Sequence, residues 1–342
     1  MTHLRSLRSR IAAVATVGIA SLALVALVAP AGAADRPVVR KSATIEKDVA
    51  WKAVDAAPLG RNHTSAVTSP DSGSNRLALA TTAASLPSDC ITVFHRALNG
   101  VLGEYLIRGS APSGYPVGSI TVTDPAGVKV TVQPRTMAFV RVLSSAPYTE
   151  QYAAVSPDGR LMFVKVVWGS SGPVVSGTIA GTTAWQSVRE IAGSGVGRLY
   201  ALNNSGGVAR YGINTSGAVT SVRAMSTAGW GTVYSLAPTG VGTYNGAVVD
   251  GFLAITEAGA LHEYLFKADG TGWNGFRLRS TGWAGFVHVS AGSCSNATRP
   301  IIGVNRVGDV YAYRDLNGSN LNGSDISVVG RIGGRAHGLI FD

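Results

Sequence analysis

Aromatic side chains next to Asn, Asp and Gly are the residues of this sequence best suited to binding chemistry. Aromatic rings stack on the apolar faces of sugars, while amides and carboxylates bond sugar hydroxyls. The candidates are Trp273, Asn274, Trp230, Trp283, Tyr264, Tyr313 and Asp309. Trp273, in the turn DGTGWNG, is the preferred contact. Trp230 and Trp283 recur at one point of a repeat, which also fits packing wedges between repeated units.

A second set of polar residues is able, by type, to hold a metal ion. Five residues after the tryptophans of the repeat come Glu190, Ser235 and His288, and the last strand can bring His337 to the same level. Two imidazoles and a carboxylate facing one channel are suitable transition-metal ligands. Scattered polar groups lining a wet channel are the simpler interpretation, so we expect neither a metal nor another cofactor.

Enzyme signatures give little support for catalysis. The sequence has no G-x-S-x-G elbow, no H-E-x-x-H and no Walker phosphate loop. Glycoside hydrolysis needs two carboxylates at the axis, and the predicted inner strands offer only Glu190 and Asp342. An enzyme with a polar or metal site in the channel, or a scaffold that binds protein, therefore remains an alternative to a binding module.

These residues belong to a repeat of short strands. The phrase AGWGTVYSLAPTG, which begins at Ala228, returns as STGWAGFVHVSAG, which begins at Ser280. Five turns each separate two alternating runs: Asn99-Gly100, Asp158-Gly159, Ser205-Gly206, Ala258-Gly259 and Val307-Gly308. Glycine supplies the positive φ that tight hairpin turns need. Five such hairpins predict the five blades of a β-propeller.

The order of the runs predicts how the ring closes. More polar runs follow each hairpin, beginning with SITVTDPAGVKVTV (119–132), and we expect them to be the outermost strands. The first hairpin, from Cys90, lacks an inner strand before it, whereas the final run RAHGLIFD lacks a hairpin after it. The prediction is an all-β, five-bladed propeller of four-stranded antiparallel blades, closed by the C-terminal strand. Five hairpins in a sandwich are the alternative.

Three phrases of the repeat resemble the tachylectin-2 family of five-bladed propeller lectins. They are GWGTVYSLAPTG, DGTGWNGFRLRSTGWAGFVHVSAG and GVGRLYALNNSGGVARYGI, and the likeness covers about residues 185–315. The resemblance implies binding of N-acetylated sugars at equivalent sites between blades. This chain departs from the family pattern in its first two blades, which lack the Trp, and at Val196, which replaces it in GSGVGRLY. The number of sites is therefore not implied.

Composition narrows the choice of partners. The 342 residues carry a formal charge of +10, yet only 14% are charged and 43 are glycine. The arginines are dispersed, without the basic runs or aromatic interleaving of nucleic-acid binders, so no nucleic acid is expected. Glycans or anionic cell-surface polymers are the expected partners of such a surface.

The start of the chain predicts export. Residues 1–34 combine a basic start, an apolar run and small residues before Asp35, which is typical of a cleaved secretory signal; an uncleaved anchor is the alternative. Residues 35–89 read as a flexible linker or pro-segment and residues 90–342 as the propeller. A secreted protein without stable membrane insertion follows. Strand order places Cys90 and Cys294 on one face of neighbouring blades, which predicts a disulfide.

Overall fold

The structure is a computed structural model that describes residues 85–169, 172–180, 183–294, 298–336 and 338–342. The predicted signal, most of the linker and His337 lie outside the described residues. Within those ranges the regular structure consists of strands and one single-turn 3-10 helix, Thr183–Trp185. No helix there is long and apolar enough to cross a membrane.

The strands of the described residues follow one another in a simple order. They are β1 (Ile91–Leu98), β2 (Val101–Arg108), β3 (Ala111–Ser119), β4 (Thr121–Thr123), β5 (Lys129–Thr131), β6 (Thr136–Ser145), β7 (Tyr148–Val155), β8 (Leu161–Gly169), β9 (Gly172–Ile179), β10 (Val188–Gly193), β11 (Arg198–Asn203), β12 (Val208–Ile213), β13 (Val219–Ser226), β14 (Val233–Tyr244), β15 (Ala247–Thr256), β16 (Leu261–Lys267), β17 (Trp273–Arg279), β18 (Phe286–Ala291), β19 (Arg299–Asn305), β20 (Asp309–Asp315), β21 (Ile326–Arg335) and β22 (Leu339–Phe341).

These strands form five antiparallel blades arranged in a ring. Blade 1 is β22-β1-β2-β3, blade 2 is β6 to β9, blade 3 is β10 to β13, blade 4 is β14 to β17 and blade 5 is β18 to β21. In each blade the first strand named is the innermost. The predicted five-bladed propeller is confirmed, and so is its closure, since β22 pairs with β1 from His95↔Phe341 to Ala97↔Leu339.

One predicted strand is wrong. Residues 119–132 do not form the outer strand of blade 1, because β3 already pairs with β2 along its whole length. The segment instead folds as the β4–β5 hairpin, and β4 pairs in parallel with β9 at the outer edge of blade 2. Ile120 and Val122 are fully buried there, in the same cluster as Val164 and Val166. Burial of these two side chains explains why the hairpin joins blade 2.

The tryptophans of the repeat pack in the seams between blades. Trp230 lies in one cluster with Tyr200 of blade 3 and Phe266 of blade 4, and Trp283 lies similarly between blades 4 and 5. The backbone N–H at this position donates to the turn glycine of the preceding blade: Trp185 to Gly159, Trp230 to Gly206, Trp283 to Gly259, and Ala336 to Gly308. The repeated Trp therefore acts as a wedge, and alanine takes its backbone role where the ring closes.

A disulfide and a short apolar contact secure the closing seam. The structure joins Cys90 to Cys294, as the strand order predicts, and the isolated bridge Ile91↔Ser293 lies beside the bond. Leu86, within the predicted linker, is only 4% exposed and packs with Cys90 and Phe94. The end of the linker thus belongs to the folded propeller.

Candidate functional site

A groove of about 250 Å³ separates blades 4 and 5 on the face that carries the disulfide. One wall is the long β14–β15 hairpin, and the other is the loop between β20 and β21 at Gly318, Ser319 and Leu321. The groove exists because β14 runs to Tyr244, beyond the short strand that its apolar pattern predicts. Its size suits a single sugar ring, since it is smaller than the roughly 300–1,000 Å³ of pockets for drug-sized ligands.

The floor of the groove is a buried carboxylate, Glu263 on β16. Its Oε1 accepts hydrogen bonds from Arg299 Nη1 at 2.8 Å and from the Thr239 hydroxyl at 3.2 Å. Its Oε2 accepts from Arg299 Nη2 at 3.0 Å. Glu263 is 3% exposed, so these contacts hold its carboxylate in one orientation beneath the groove.

Arg299 is shared between two carboxylates of neighbouring strands. It lies directly opposite Asp315 in the β19–β20 register, and Asp315 accepts from its Nε at 3.1 Å and its Nη2 at 2.7 Å. Burial opposes the charge of Arg299, but the bonds to Glu263 and Asp315 outweigh it and raise the pKa of the guanidinium. Two carboxylates face one guanidinium, so the cluster keeps one excess negative charge, which favours ligands that donate hydrogen bonds.

Glycines shape the walls. A Cβ on Gly240 or Gly242 meets nothing within 4 Å, so both residues expose backbone to the groove. A Cβ on Gly251 would lie 2.2 Å from the Thr239 hydroxyl, so only glycine there leaves room for Thr239 to reach Glu263. Side chains absent from these positions bring backbone amides and carbonyls within reach of a ligand.

Tyr244 supplies an aromatic ring at the rim. It is half-buried and meets Phe276 edge-on, with ring centroids 5.7 Å apart. Strand alternation places Tyr244, Gly242 and Gly240 on the face of blade 4 that looks toward the groove. A ring held in this way can stack on the apolar face of a sugar.

Trp273 and Asn274 lie on opposite faces of blade 4. Asn274 is opposite Leu265 in the β16–β17 register, and Leu265 lines the groove. Trp273 is opposite Phe266 and packs on Trp230 with centroids 5.0 Å apart, on the side of blade 3. The structure therefore brings Asn274 beside the groove and separates Trp273 from it.

Trp230, Trp283 and Tyr264, also predicted as sugar contacts, lie inside the seams between blades. Trp230 is 2% exposed, Trp283 3% and Tyr264 6%, because each fills a seam between blades. The ring of Trp230 lies 4.4 Å from that of Tyr264, and Trp283 lies 4.5 Å from Tyr313. These three side chains therefore pack between the blades, as the wedge interpretation of the repeat predicts for Trp230 and Trp283.

The other two candidates also stand apart from the groove. Tyr313 is half-buried and packs against the cluster of blades 4 and 5. Asp309 lies next to the Val307-Gly308 turn, at the opposite end of β20, and its carboxylate pairs with Arg331 at 2.6 Å. Its amide N–H donates to the Asn305 side chain. Asp309 therefore stabilises a turn.

The polar residues of the inner strands form circumferential contacts. Glu190, Ser235 and His288 each follow a bulge and pair with Leu202, Ile255 and Val304, which confirms that they occupy equivalent positions. The Ser235 hydroxyl accepts from the N–H of Val289 at 3.3 Å, and Glu190 accepts from the N–H of Leu236. These side chains bond the next inner strand around the ring.

Glu190 has an unusual environment. Burial outweighs the opposing charge of Arg189 and, with a smaller contribution from Asp342, raises the pKa of its carboxyl to about 8. The side chain nevertheless keeps some exposure toward the channel. Within the residues the structure describes, no three His, Cys, Asp or Glu side chains lie close enough to hold a metal. His337 lies outside the described residues, so the predicted pairing of His288 and His337 stays a prediction.

One residue of the groove, Glu263, has a recognisable signal in the sequence, although the sequence prediction relied on aromatic residues instead. Glu263 is a charged residue inside the apolar run ALHEYLF, on a strand buried on both faces. Charged residues in such strands are almost always paired. The partner, Arg299, lies on the next blade, and sequence spacing alone does not identify it.

Similarity to known proteins is remote. No protein-family model matches the sequence, and no curated protein matches it. Among solved structures, AofleA from Arthrobotrys oligospora is similar at 13% identity over 74% of this chain and 71% of that chain, with a TM-score of 0.40.

Two further structures share this level of similarity. The Aleuria aurantia lectin, described as a six-bladed β-propeller with a novel fucose recognition mode, is 12% identical over 74% of this chain and 80% of that chain, with a TM-score of 0.36. The WD40 domain of SCAP from fission yeast is 11% identical over 55% and 43%, with a TM-score of 0.31. Similarity this low assigns no family, and membership of the tachylectin-2 family is not confirmed.

Proposed function

We propose that the chain is a secreted carbohydrate-binding propeller and that its sugar site is the groove between blades 4 and 5. The observation that carries the proposal is the oriented, buried carboxylate of Glu263 at the floor of a groove of sugar-ring size. Arg299 and Thr239 use both acceptor sites of Oε1 and one of Oε2, so the remaining site on Oε2 is oriented for a hydroxyl or amide N–H donor with little reorganisation.

The surrounding residues fit a sugar in complementary ways. Tyr244 offers a ring for stacking, Gly240 and Gly242 expose backbone polar groups, and the Asn274 amide lies beside Leu265. The excess negative charge of Glu263 and Asp315 over Arg299 disfavours acidic sugars at this site. Neutral and N-acetylated sugars, including those of cell-wall glycans, are therefore the ligands to test first.

Secretion is supported by independent features. Residues 1–34 have the pattern of a cleaved signal, and Cys90 and Cys294 are bonded to each other, which suits an oxidising compartment. An exported binding protein meets glycans at cell surfaces, which agrees with a sugar-sized groove.

A glycan array tests the proposal. The chain from residue 35 onward, shown to be folded, is expected to bind neutral or N-acetylated glycans in preference to acidic ones. Binding to no glycan on a broad array would contradict a carbohydrate-binding function, and strict preference for acidic glycans would contradict this groove as the site.

A hydrolytic site in the channel is the second candidate, and one observation favours it. A carboxyl whose pKa is near 8 is protonated at neutral pH and can act as a general acid, and Asp342 is a second carboxylate in its electrostatic environment. Release of reducing sugar from array-positive glycans, abolished by Glu190→Gln, would establish it. Binding without turnover would remove it.

A further inference from the structure

We propose a second, oxyanion-binding site at the outer seam between blades 3 and 4, formed by Arg210 and Arg223. The two arginines lie directly opposite each other in the β12–β13 register. Like charges in directly opposed cross-strand positions destabilise a sheet unless something neutralises them. The arrangement therefore calls for an anion.

No residue in the described ranges neutralises Arg210. Its Nε is buried without a hydrogen-bond partner, and neither a hydrogen bond nor an ion pair joins its side chain to another described residue. The buried carboxylate of Asp250, on β15 of blade 4, already accepts from Arg198 Nε and Nη2, both at 2.6 Å, and from the Tyr200 hydroxyl at 2.6 Å. The charge of Asp250 is thus paired with Arg198, and among the described residues no hydrogen bond joins Asp250 to Arg210.

Among the described residues, no carboxylate makes a hydrogen bond with Arg223 either. Its Nη1 donates to a neutral acceptor, the backbone carbonyl of Asp269, at 3.1 Å. The Asp269 carboxylate accepts instead from the hydroxyl and the N–H of Thr271. These bonds, with weaker contributions from Lys267 and Arg223, lower the pKa of Asp269. Two cations, Arg223 and Lys267, therefore lie near the single carboxylate of Asp269, and Arg210 adds a third positive charge directly opposite Arg223.

The turn after β16 brings both arginines to one place. Gly270 has a φ of +76°, and a Cβ there would lie 2.7 Å from Cδ of Arg223 and 3.4 Å from Cδ of Arg210. The absent side chain lets the turn pack on both arginine stems. Arg223 is exposed and Arg210 half-buried, so a ligand has access from solvent.

Two guanidinium groups favour an oxyanion as the ligand of this site. Guanidinium groups bind sulfate, phosphate and carboxylate through paired N–H donors, which an ammonium group cannot reproduce. The indole of Trp273, half-buried on the face of blade 4 that looks toward blade 3, adds an aromatic surface to the same seam. We assign the site to a sulfate, phosphate or carboxylate group carried by an extracellular polymer, separate from the neutral-sugar groove.

Calorimetric titration with sodium sulfate, phosphate and acetate at constant ionic strength tests the site. Sulfate or phosphate is expected to bind saturably at one site, and Arg223→Gln and Arg210→Gln are each expected to weaken binding at least tenfold. Arg223→Lys keeps the charge without the paired donors and is expected to give an intermediate loss. The control Arg108→Gln removes an exposed arginine from blade 1 and is expected to change nothing.

The outcomes separate the possibilities. Competition of bound sulfate by sulfated, phosphorylated or uronic-acid polymers identifies which carrier the site prefers. Absence of saturable binding by all three anions would overturn the proposal. An equal loss in Arg108→Gln and Arg223→Gln would also overturn it, because the effect would then be general surface charge.

Discussion

Nε2 of His288 lies 3.3 Å from Oδ2 of Asp342, and this contact joins the inner strand of blade 5 to the strand that closes blade 1. The two atoms are close but do not form a hydrogen bond. Oδ1 of Asp342 accepts from the Ser290 hydroxyl at 2.5 Å, and its backbone carbonyl accepts from the N–H of Phe139 in blade 2. One residue thus connects three blades at the seam.

The first prediction concerns this connection. Asp342→Ala removes the partner of Ser290 and His288 at the closing seam while keeping the backbone bond to Phe139. We expect a loss of about 1–3 kcal/mol in the free energy of unfolding, because the buried Ser290 hydroxyl loses its acceptor and His288 loses its contact with the carboxylate. Denaturant titration measures it, with Asp325→Ala, in an outer loop, as the control. Equal stability of the two variants would contradict the role of Asp342 in ring closure.

The second prediction follows from Glu190. Its pKa is about 8 in the folded protein and near 4.5 in the unfolded chain, so the folded state binds the extra proton between these values. The contribution of Glu190 to the free energy of unfolding is therefore greatest below pH 4.5 and is lost as pH rises toward 8. Burial lowers the pKa of His262 to about 4, which acts in the opposite sense but only below about pH 6.5.

Between pH 6.5 and 8, the effect of Glu190 on stability is therefore free of the opposing effect of His262. There the wild type is expected to lose about 1 kcal/mol, less than the full linkage because the channel admits solvent. Glu190→Gln keeps the shape and an acceptor for the Leu236 N–H, and it is expected to show no such fall. Parallel pH profiles of the two proteins would show that Glu190 is ionised normally in the folded state.

The third prediction concerns the disulfide. Cys90 and Cys294 are separated by 204 residues, so the bond closes a long loop in the unfolded chain. Replacing both by Ser is expected to cost about 2–5 kcal/mol. Non-reducing peptide mapping of secreted protein should recover the linked peptides. Two free thiols in protein made under oxidising conditions would contradict both the bond and the expected compartment.

Much of this fold follows from local patterns in the sequence. Turn glycines such as Gly206 and Gly259 mark the hairpins, and counting inner strands predicts both ring closure and the Cys90–Cys294 bond. The sequence did not predict the β4–β5 hairpin, because its position depends on the packing of Ile120 and Val122 against blade 2. No local period in the sequence encodes that contact. Pro112 and Pro116 also make β3 hard to recognise as an edge strand from the sequence.

The site was less predictable for a physical reason. Aromatic residues such as Trp230 and Trp283, which the sequence suggests as surface contacts, recur because large side chains fill the seams between blades. The residues of the groove occur once, and their meaning depends on partners in the next blade. Glu263 becomes an oriented acceptor only because Arg299 and Thr239 reach it.

The most direct test of the sugar site is titration of an array-selected glycan into a protein whose groove is filled. Gly242→Leu adds a side chain where a Cβ meets nothing within 4 Å, so it should occupy the groove without disturbing the core. Gly272→Leu, also in open space but outside the groove lining, is the matched control. We predict at least a tenfold loss of affinity in Gly242→Leu and wild-type affinity in Gly272→Leu. Unchanged binding by folded Gly242→Leu would contradict the site.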